Sequence, residues 1–337
     1  MENHNVAVVV LLAVSLVWAT FPQVEVVKAE DIIYIRADGS VEGTEMIQRS
    51  GDFYTFLGNV LMGIQIQRSN IVVNGAGYTL QGDGEVHGPD AIVGMGIEIV
   101  ECNNVTITNL NIIEFTRGIR FTDASDCEVC QNVLSNNCIG VELGGINRSY
   151  STVYSNNNKV SGNIIKENDD VGVLLFYGTS NSVSQNIITS NDEGIYIWCS
   201  GNNVVWNNIT DNNKGIYIEA SGSVIHHNNF VDNTHDWWDY GLTPWPFQLP
   251  FSVSSWDDGT EGNYWSRYDE EDNNSDNIGD TAYILYENNT DNYPLMEPVD
   301  ISTIPEFSSW FLLIVGFFTV SLISVALQVR IKQGMKK

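Results

Sequence analysis

The sequence predicts an all-β fold, a right-handed parallel β-helix with about 22 residues per coil. Three observations predict it: a four-residue motif led by glycine recurs six times, most copies lie near 22 residues apart, and short β-rich runs alternate with Asn, Asp and Ser. The pattern has too many strands for helical repeats and lacks the frame of leucine-rich repeats. The copies are Gly96-Ile-Glu-Ile, Gly118-Ile-Arg-Phe, Gly140-Val-Glu-Leu, Gly172-Val-Leu-Leu, Gly194-Ile-Tyr-Ile and Gly215-Ile-Tyr-Ile.

The spacing of the six glycines sets the register of the coils. Successive glycines lie 22, 22, 32, 22 and 21 residues apart. The long interval indicates an insertion, which we place at residues 145–158 and expect to leave the coil as a loop. Residues 54–84 are compatible with the first coils. The glycines are expected in one stacked column, each beginning a strand where the chain turns sharply.

Strand alternation divides the motif residues between two faces. The residues expected to point inward are Ile97, Ile99, Ile119, Phe121, Val141, Leu143, Val173, Leu175, Ile195, Ile197, Ile216 and Ile218. Those expected to point outward are Glu98, Arg120, Glu142, Leu174, Tyr196 and Tyr217. A second column is expected to stack as an amide ladder at turns, and it comprises Asn111, Asn132, Asn163, Asn186, Asn208 and Asn229.

The two ends of the chain predict export and anchoring. Residues 1–29 contain an apolar run typical of a signal peptide, although the preceding segment lacks Lys and Arg, which leaves an uncleaved anchor as the alternative. Residues 307–329 carry no charge and are long enough for a transmembrane helix. Basic residues follow in a tail at 330–337, which the positive-inside rule places in the cytoplasm. Between the ends we expect β-helix repeats at 30–234, a Trp-rich C-terminal capping module at 235–299 and a linker at 300–306.

The charge of the chain limits the classes of possible partners, and its cysteine count limits the possible disulfides. The formal net charge is -27, which argues against nucleic acid and suits cations or neutral glycans, or serves solubility alone. Five cysteines in an exported chain allow at most two disulfides, whose connectivity the sequence leaves open. Cys127 and Cys130 have no second pair at zinc-site spacing, so we interpret them as core or strand residues.

Several motifs resemble the NosD-type β-helix family. They are the stretch from Ser69 to Gly82, the Gly-Ile-Tyr-Ile rungs, Trp256-Asp-Asp-Gly, Gly262-Asn-Tyr-Trp-Ser, Ile278-Gly-Asp and Asp291-Asn-Tyr-Pro-Leu-Met. The resemblance covers roughly residues 32–299 and implies a carbohydrate-binding or sugar-hydrolysis β-helix domain of the kind found on archaeal cell surfaces. Ile304-Pro-Glu-Phe before the apolar segment also resembles archaeal surface anchors. These motifs are specific for the fold and much less so for the activity.

The same resemblance implies copper handling, which requires clustered His, Cys or Met. His226 and His227 are adjacent in a predicted strand and would therefore face opposite sides, so that only one could join His235. The six methionines are scattered. Copper binding is therefore not expected from the sequence.

A polysaccharide hydrolase on this fold needs two carboxylates around the scissile bond. Glu98 and Glu142 lie two rungs apart, about 9 to 10 Å at ~4.8 Å per rung. Arg120 falls between them, and such a column is typical of charge pairing on a solvated sheet. The sequence also shows no residue sets resembling those of polygalacturonases or pectate lyases.

Further along this face the outward residues become aromatic. Leu174, Phe176, Tyr196, Trp198 and Tyr217 form the aromatic strip, which is large enough to predict a partner. The partner is either a glycan that stacks on the rings or the chain's own segment from Trp237 to Trp265 folding back over them. We expect a protein displayed at the cell surface that binds cell-surface glycans or other surface components without catalysis. The alternatives are a polysaccharide hydrolase or lyase and a structural spacer.

A calcium site is expected in the C-terminal module. Oxygen ligands recur as in the first nine positions of an EF-hand-like loop, with Asn277 where such loops favour glycine and no glutamate at the twelfth position. The alternative is a solvated acidic loop. The candidate ligands are Asp272, Asn274, Asp276, Asp280 and the carbonyl of Ile278.

Overall fold

The computed structural model describes residues 32–88, 94–146, 152–239, 252–286 and 288–301. Within these ranges every extended regular element is a β-strand, and three long sheets run along a parallel β-helix. None of the residues so described forms a helix long and apolar enough to cross a membrane. The predicted signal peptide, transmembrane helix and cytoplasmic tail all lie outside the described residues.

The three sheets are named A, B and C in chain order. The first coil contributes two strands to A and two to B, and each later complete coil contributes one strand to each sheet. Sheet A contains β1 (Ile33–Ile35), β2 (Val41–Glu42), β6 (Ile64–Ile66), β9 (Met95–Val100), β12 (Arg117–Thr122), β15 (Ile139–Leu143), β20 (Val171–Leu175), β23 (Glu193–Ile197), β26 (Lys214–Ile218) and β29 (His235–Asp239). Sheet B contains β3 (Ile47–Ser50), β4 (Phe53–Phe56), β7 (Ile71–Asn74), β10 (Val105–Thr108), β13 (Glu128–Cys130), β18 (Lys159–Ser161), β21 (Ser182–Ser184), β24 (Asn203–Val205) and β27 (Val224–His226). Sheet C contains β5 (Val60–Leu61), β8 (Thr79–Gln81), β11 (Asn111–Ile113), β14 (Val133–Ser135), β19 (Ile164–Lys166), β22 (Ile187–Thr189), β25 (Asn208–Thr210), β28 (Asn229–Val231) and β30 (Tyr264–Trp265).

Pairing within the three sheets is parallel from β4 and β6 onward, while β1–β2 and β3–β4 pair antiparallel at the start. Two further antiparallel hairpins lie outside the coils, β16 (Gly145–Ile146) with β17 (Thr152–Val153) and β31 (Tyr283–Tyr286) with β32 (Asn289–Asp291). The predicted inward residues are all buried in one continuous core, which confirms the register and the faces.

The six motif glycines stack in one column, as predicted. An added Cβ on Gly194 would lie 2.5 Å from the carbonyl oxygen of Gly215, and the other five meet the next rung in the same way. None of the six has a positive φ, so the expectation of a sharp turn at each glycine is wrong. Glycine is needed because the next rung approaches too closely for a side chain.

Asparagines stack at all three corners of the coil, where the sequence predicted one ladder. The ladder between sheets B and C comprises Asn132, Asn163, Asn186, Asn207, Asn228 and Asn263. The ladder between sheets C and A comprises Asn137, Asn168, Asn191, Asn212 and Asn233. The shorter ladder between sheets A and B comprises Asn158, Asn181 and Asn202.

The predicted ladder was misaligned in three of its six members. Asn208 and Asn229 begin strands of sheet C, one residue after the ladder positions, and Asn111 likewise follows Leu110, whose N–H donates to the Asn132 side chain. The ladder residue lies two positions before the inward apolar residue of each sheet C strand. In Asn-Asn pairs this criterion selects the first asparagine, because the second belongs to the strand.

The predicted insertion is a β-hairpin in its first part. β16 and β17 pair, whereas Ser155 and Asn158 are buried in the coil, so the excursion ends before residue 155. The five cysteines are all free, so the two disulfides that the sequence allowed do not form. Cys127 is a core residue and Cys130 lies in β13, as predicted.

Beyond the last complete coil, the chain continues the solenoid. β30 adds a strand to sheet C, and the ring of Trp265 stacks on Phe230 with centroids 4.4 Å apart. Trp256 packs beside Trp265, and both are buried against the main core. Neither tryptophan belongs to the cluster formed by the aromatic strip. Trp245, which the sequence also placed in the covering segment, lies outside the described residues.

Candidate functional site

One column of outward residues runs the length of sheet A and changes character along it. Parallel pairing places its members in register on successive rungs. In order they are Gln65, Glu98, Arg120, Glu142, Leu174, Tyr196, Tyr217 and Trp238. The first half is polar and charged, and the second half is apolar and aromatic.

The charged half is buried, contrary to the solvated column that the sequence predicted. Glu98, Arg120 and Glu142 are only 5%, 4% and 2% exposed. Gln65 Nε2 donates to Glu98 at 2.9 Å, while Glu142 pairs with Arg117 and lies 3.4 Å from Arg120. The sequence did not predict this burial, because strand alternation shows which face of the sheet a residue lies on but not what covers that face. Both carboxylates are held in an internal polar network.

The second half brings the predicted aromatic strip together. Tyr196 stacks on Tyr217 with ring centroids 4.5 Å apart, and Trp198 contacts both Tyr196 at 5.8 Å and Phe176 at 5.2 Å. Leu174 and Tyr217 are largely buried by these neighbours. Trp198 is 42% exposed and therefore presents the accessible ring surface of the strip.

The polar edge of the strip is formed by Glu219. The hydroxyl of Tyr196 donates to Glu219 Oε1 at 2.5 Å. Burial, followed by this hydrogen bond, raises the pKa of Tyr196 far above its usual range, so the hydroxyl stays protonated. The ring of Tyr196 is thus fixed in orientation between Tyr217 and Trp198.

A cleft of about 210 Å³ continues the strip at its C-terminal end. Trp238 pairs with Tyr217 on the neighbouring strand and so joins the cleft to the strip. The lining combines aromatic rings with an acid, a base and an imidazole, and it comprises His235, Asp236, Trp237, Trp238, Arg267 and Tyr283.

Asp236 is the buried acid of this cleft. Its Oδ1 accepts a hydrogen bond from Asn233 Nδ2 at 3.2 Å, and Arg267 Nη1 lies 3.7 Å from Oδ2. Oδ2 makes no hydrogen bond within the described part of the chain. Burial raises the pKa of Asp236, and Asn233 and Arg267 counteract part of that rise. This oxygen is enclosed by protein atoms and faces Arg267.

Sequence reasoning missed the cleft because its rung departs from the motif. Asp236 occupies the column that glycine fills on the six earlier rungs, because its carbonyl oxygen lies 2.5 Å from where a Cβ on Gly215 would be. The usable signal was the spacing of 21 residues from Gly215 to Asp236, which continues the period. Arg267 and Tyr283 come from the segment after the coils and have no such signal.

Comparison with protein families matches residues 42–270 to the family described as "Periplasmic copper-binding protein (NosD)". The match spans more than half of the chain. The chain belongs to the NosD family. No curated protein matches the sequence.

Solved structures similar to this NosD-family chain share little sequence with it. The Dettilon tailspike protein gp208 has 16% identity and a TM-score of 0.43, with 54% of this chain and 40% of that chain covered. DFA-IIIase from Arthrobacter chlorophenolicus A6, without its lid, has 14% identity and a TM-score of 0.40, with 64% and 51% covered. Alginate lyase from Paenibacillus sp. str. FPU-7 has 11% identity and a TM-score of 0.33, with 62% and 92% covered. The chain spans about half or less of the first two.

The histidines of this NosD-family protein are arranged differently from the sequence expectation. His226 ends β27, and His227 follows with a φ of 55°, which breaks the strand alternation. The two Nδ1 atoms consequently lie 2.5 Å apart instead of on opposite sides. Donor atoms of His226, His227 and Asp258 all lie within 4.8 Å of one another. His235 is on sheet A, in the cleft.

The predicted calcium ligands lie in an exposed loop with many internal hydrogen bonds. Asp272 accepts from the N–H groups of Asp276 and Asn277, and Asp280 accepts from Asn273. Asn277 has a φ of 72°, a left-handed conformation that asparagine can adopt in place of glycine. The other two candidates both contact Asp276. The side-chain amide of Asn274 donates to the Asp276 carboxylate, and so does the backbone N–H of Ile278. Calcium binding itself remains a prediction.

Proposed function

We propose that this NosD-family protein is displayed outside the cytoplasm, anchored by its C-terminal helix, and binds glycans without cleaving them. The observation that carries the proposal is the continuous aromatic face on sheet A, from Phe176 and Trp198 to the cleft at Trp238. Binding sites for small polar ligands combine aromatic surface with a few placed polar groups. Here the rings offer stacking surfaces, and the exposed side chain of Arg267 offers hydrogen bonds to sugar hydroxyls.

The length of the face supports a chain-like ligand. Leu174, Tyr196, Tyr217 and Trp238 occupy four successive rungs, which at ~4.8 Å per rung span about 14 Å. A polymer lying along the stack would meet Trp198 near one end and the cleft at the other. The ligand class that suits this face is therefore a neutral polysaccharide, because the chain carries a net charge of -27.

The main alternative is a polysaccharide hydrolase or lyase. Hydrolysis by the usual route needs one carboxyl group as acid and another as base or nucleophile, placed around the same bond. The best candidates from the sequence, Glu98 and Glu142, are buried and held by Gln65, Arg117 and Arg120. This arrangement favours binding over cleavage. A structural spacer is the third alternative.

Location and closure of the solenoid complete the proposal. The family description is periplasmic, and the apolar segments at residues 1–29 and 307–329 support export and anchoring. Stacking of Trp265 on Phe230 supports a capping role for residues 235–299, since the open end of a solenoid core needs cover.

The test is retention of the purified full-length chain on a panel of immobilised polysaccharides, with released reducing ends and unsaturated products measured in parallel. Retention without products supports the proposal, products indicate the enzyme, and neither indicates the spacer. Trp198→Ala should reduce retention at least tenfold while the melting temperature changes little, because the ring is partly exposed. Phe53→Ala is the matched control, since Phe53 is 50% exposed on sheet B and should leave retention unchanged.

A further inference from the structure

We infer that Glu219 makes the aromatic face selective for neutral polysaccharides over acidic ones. Its carboxylate accepts hydrogen bonds from hydroxyl groups of a sugar stacked on Trp198, and it repels a sugar that carries a carboxylate of its own. This selectivity rests on the proposed function, glycan binding at this face, and assigns the choice of sugar to one side chain.

Glu219 belongs to a second outward column, which runs beside the first along sheet A. Phe176, Trp198 and Glu219 each follow the last residue of a strand, and each donates its backbone N–H to a carbonyl of the preceding rung over 2.8–3.0 Å. Successive rungs are ~4.8 Å apart. Glu219 is therefore the direct neighbour of Trp198, on the side opposite Phe176.

The carboxylate of Glu219 is held by the aromatic strip. Tyr196 Oη donates to Glu219 Oε1 at 2.5 Å, and the ring of Tyr196 is itself packed against Tyr217 and Trp198. An ionised carboxylate can accept hydrogen bonds at both oxygens. Within the described part of the chain Oε2 accepts none, and Glu219 is only partly buried. Oε2 is therefore available to a hydroxyl group of a ligand.

Glu219 differs from two other acids of this face, Glu193 and Asp236, in its charge balance. Lys214 Nζ lies 2.6 Å from Glu193 Oε1, and Arg267 Nη1 lies 3.7 Å from Asp236 Oδ2. Among the residues that the structure describes, no cation forms an ion pair with Glu219. The negative charge beside Trp198 is therefore left for the ligand to meet.

This arrangement favours a neutral sugar on Trp198. A sugar hydroxyl can donate to Glu219, and a hydrogen bond to an ionised acceptor is roughly twice as strong as one between neutral groups. A uronate stacked on the same ring would place a second carboxylate near Glu219, and like charges so close to an apolar surface repel. The neutral sugar gains the hydrogen bond, whereas the uronate meets the repulsion.

The experiment measures retention of the purified full-length protein on two immobilised polymers that differ in one group. One is the neutral polysaccharide with primary hydroxyl groups that binds the protein best, and the other is the same polymer with those hydroxyls oxidised to carboxylates. The unmodified protein should bind the oxidised polymer about tenfold more weakly. The difference should shrink in about 1 M salt, where the Debye length is ~3 Å.

Glu219→Gln should change the two retentions in opposite directions. Binding to the oxidised polymer should rise about fivefold because the repulsion is removed, and binding to the neutral polymer should fall about threefold because the acceptor is uncharged. The glutamine carbonyl can still accept from Tyr196, so the melting temperature should change little. A loss of folding would lower both retentions together.

Glu45→Gln is the matched control. Glu45 is an exposed acid in the first coil, so this change removes one charge from the same total of -27 at the other end of the solenoid. It should bind both polymers as the unmodified protein does. Equal gains on the oxidised polymer in the two variants would show that net charge determines the selectivity, which would overturn the role of Glu219.

Two further results would overturn the selectivity while leaving the proposed function in place. One is an unchanged ratio of the two retentions in Glu219→Gln, and the other is equal or stronger binding of the unmodified protein to the oxidised polymer. Absence of retention on every polysaccharide tested would overturn the proposed function and the selectivity with it.

Discussion

At the residue scale, each buried asparagine of the long ladders joins three turns of chain. Asn186 Nδ2 donates to Val160 O, to Ser184 O and to the Asn207 side chain. Its Oδ1 accepts from both the backbone N–H and the side-chain amide of Asn163. One side chain thus satisfies backbone groups that the corner of the coil would otherwise bury without partners.

Asn186→Ala should therefore be strongly destabilising. The change leaves several buried donors and acceptors without partners, each costing ~1–3 kcal/mol, and we expect a loss of about 3 kcal/mol or more. Urea unfolding followed by circular dichroism measures it. Asn208→Ala is the matched control at a partly exposed strand position and should cost less than about 1 kcal/mol. Similar losses for both variants would contradict the ladder assignment.

The ladder between sheets B and C ends on a carboxylate instead of another amide. Asp291 Oδ2 accepts from Asn263 N at 2.7 Å and from Trp265 Nε1 at 2.8 Å. Burial raises the pKa of Asp291 from 3.8 to about 6, and these hydrogen bonds counteract part of the rise. The carboxyl group of Asp291 therefore stays protonated to a higher pH in the folded protein than in the unfolded chain.

This gives a signed pH dependence. Because the folded pKa is the higher one, the stabilisation from protonated Asp291 is present below about pH 4 and is lost as pH rises through about 6. The full loss is about 3 kcal/mol. Urea unfolding at pH 4, 5.5 and 7 should show a steeper decline for the unmodified protein than for Asp291→Asn. Parallel curves for the two proteins would exclude the contribution of Asp291.

At the scale of single elements, the outward column of sheet A has two halves of different chemistry. Its first rungs hold buried ion pairs, and its later rungs hold the stacked rings of Tyr196 and Tyr217. Both halves rest on the same inward rows and the same glycine column. The outward residues can therefore differ between rungs without changing the fold, because the stacking is determined on the other face.

The loop at residues 272–280 is a second element with its own prediction. Calcium bound there should stabilise the folded state by RT ln(1 + [L]/Kd), because the loop is organised only after folding. We expect the melting temperature in millimolar Ca²⁺ to exceed that in chelator by a few degrees. The shift should vanish in Asp272→Ala/Asp276→Ala.

Asp83→Ala is the control for that experiment, because Asp83 bonds His87 far from the loop. It should retain the calcium shift. Equal melting of the unmodified protein in calcium and in chelator would leave the loop as a solvated acidic turn.

At the scale of the whole molecule, the solenoid is held by continuous rows of apolar side chains and ladders, without covalent links between coils. All five cysteines are free, and the thiols of Cys102 and Cys127 are buried, which raises the pKa of each to about 11. Such thiols are weak nucleophiles at neutral pH. They act as core side chains in this fold.

The melting temperature should therefore be the same with and without a thiol reductant, within about 1 °C, because there is no disulfide whose loss would cost ~2–5 kcal/mol. Differential scanning calorimetry on protein purified in air provides the comparison. A lower melting temperature in reductant would show that a disulfide forms and contributes to stability.

The parts of the fold that depend on period could be predicted from the sequence. Repetition of Gly-Ile-x-Ile determined the parallel β-helix, the glycine column and all twelve inward residues, because stacked identical rungs must place equivalent residues in line. The aromatic strip followed from the same alternation, since Tyr196 and Tyr217 occupy the same position on successive rungs and Trp198 lies two residues after Tyr196. These properties are local to each repeat and need no knowledge of distant contacts.

Only the tertiary structure decided what covers each face and what meets at the corners. Three features depend on departures from the repeat, made either by chain segments far apart in sequence or by a single left-handed residue. They are the burial of Glu98 and Glu142, the close pair His226–His227 and the cleft at Asp236. The period of the repeat does not predict such departures, because it describes only the features that the rungs share. The candidate binding face was therefore visible in the sequence, while the cleft that ends it and the close pair of histidines required the folded chain.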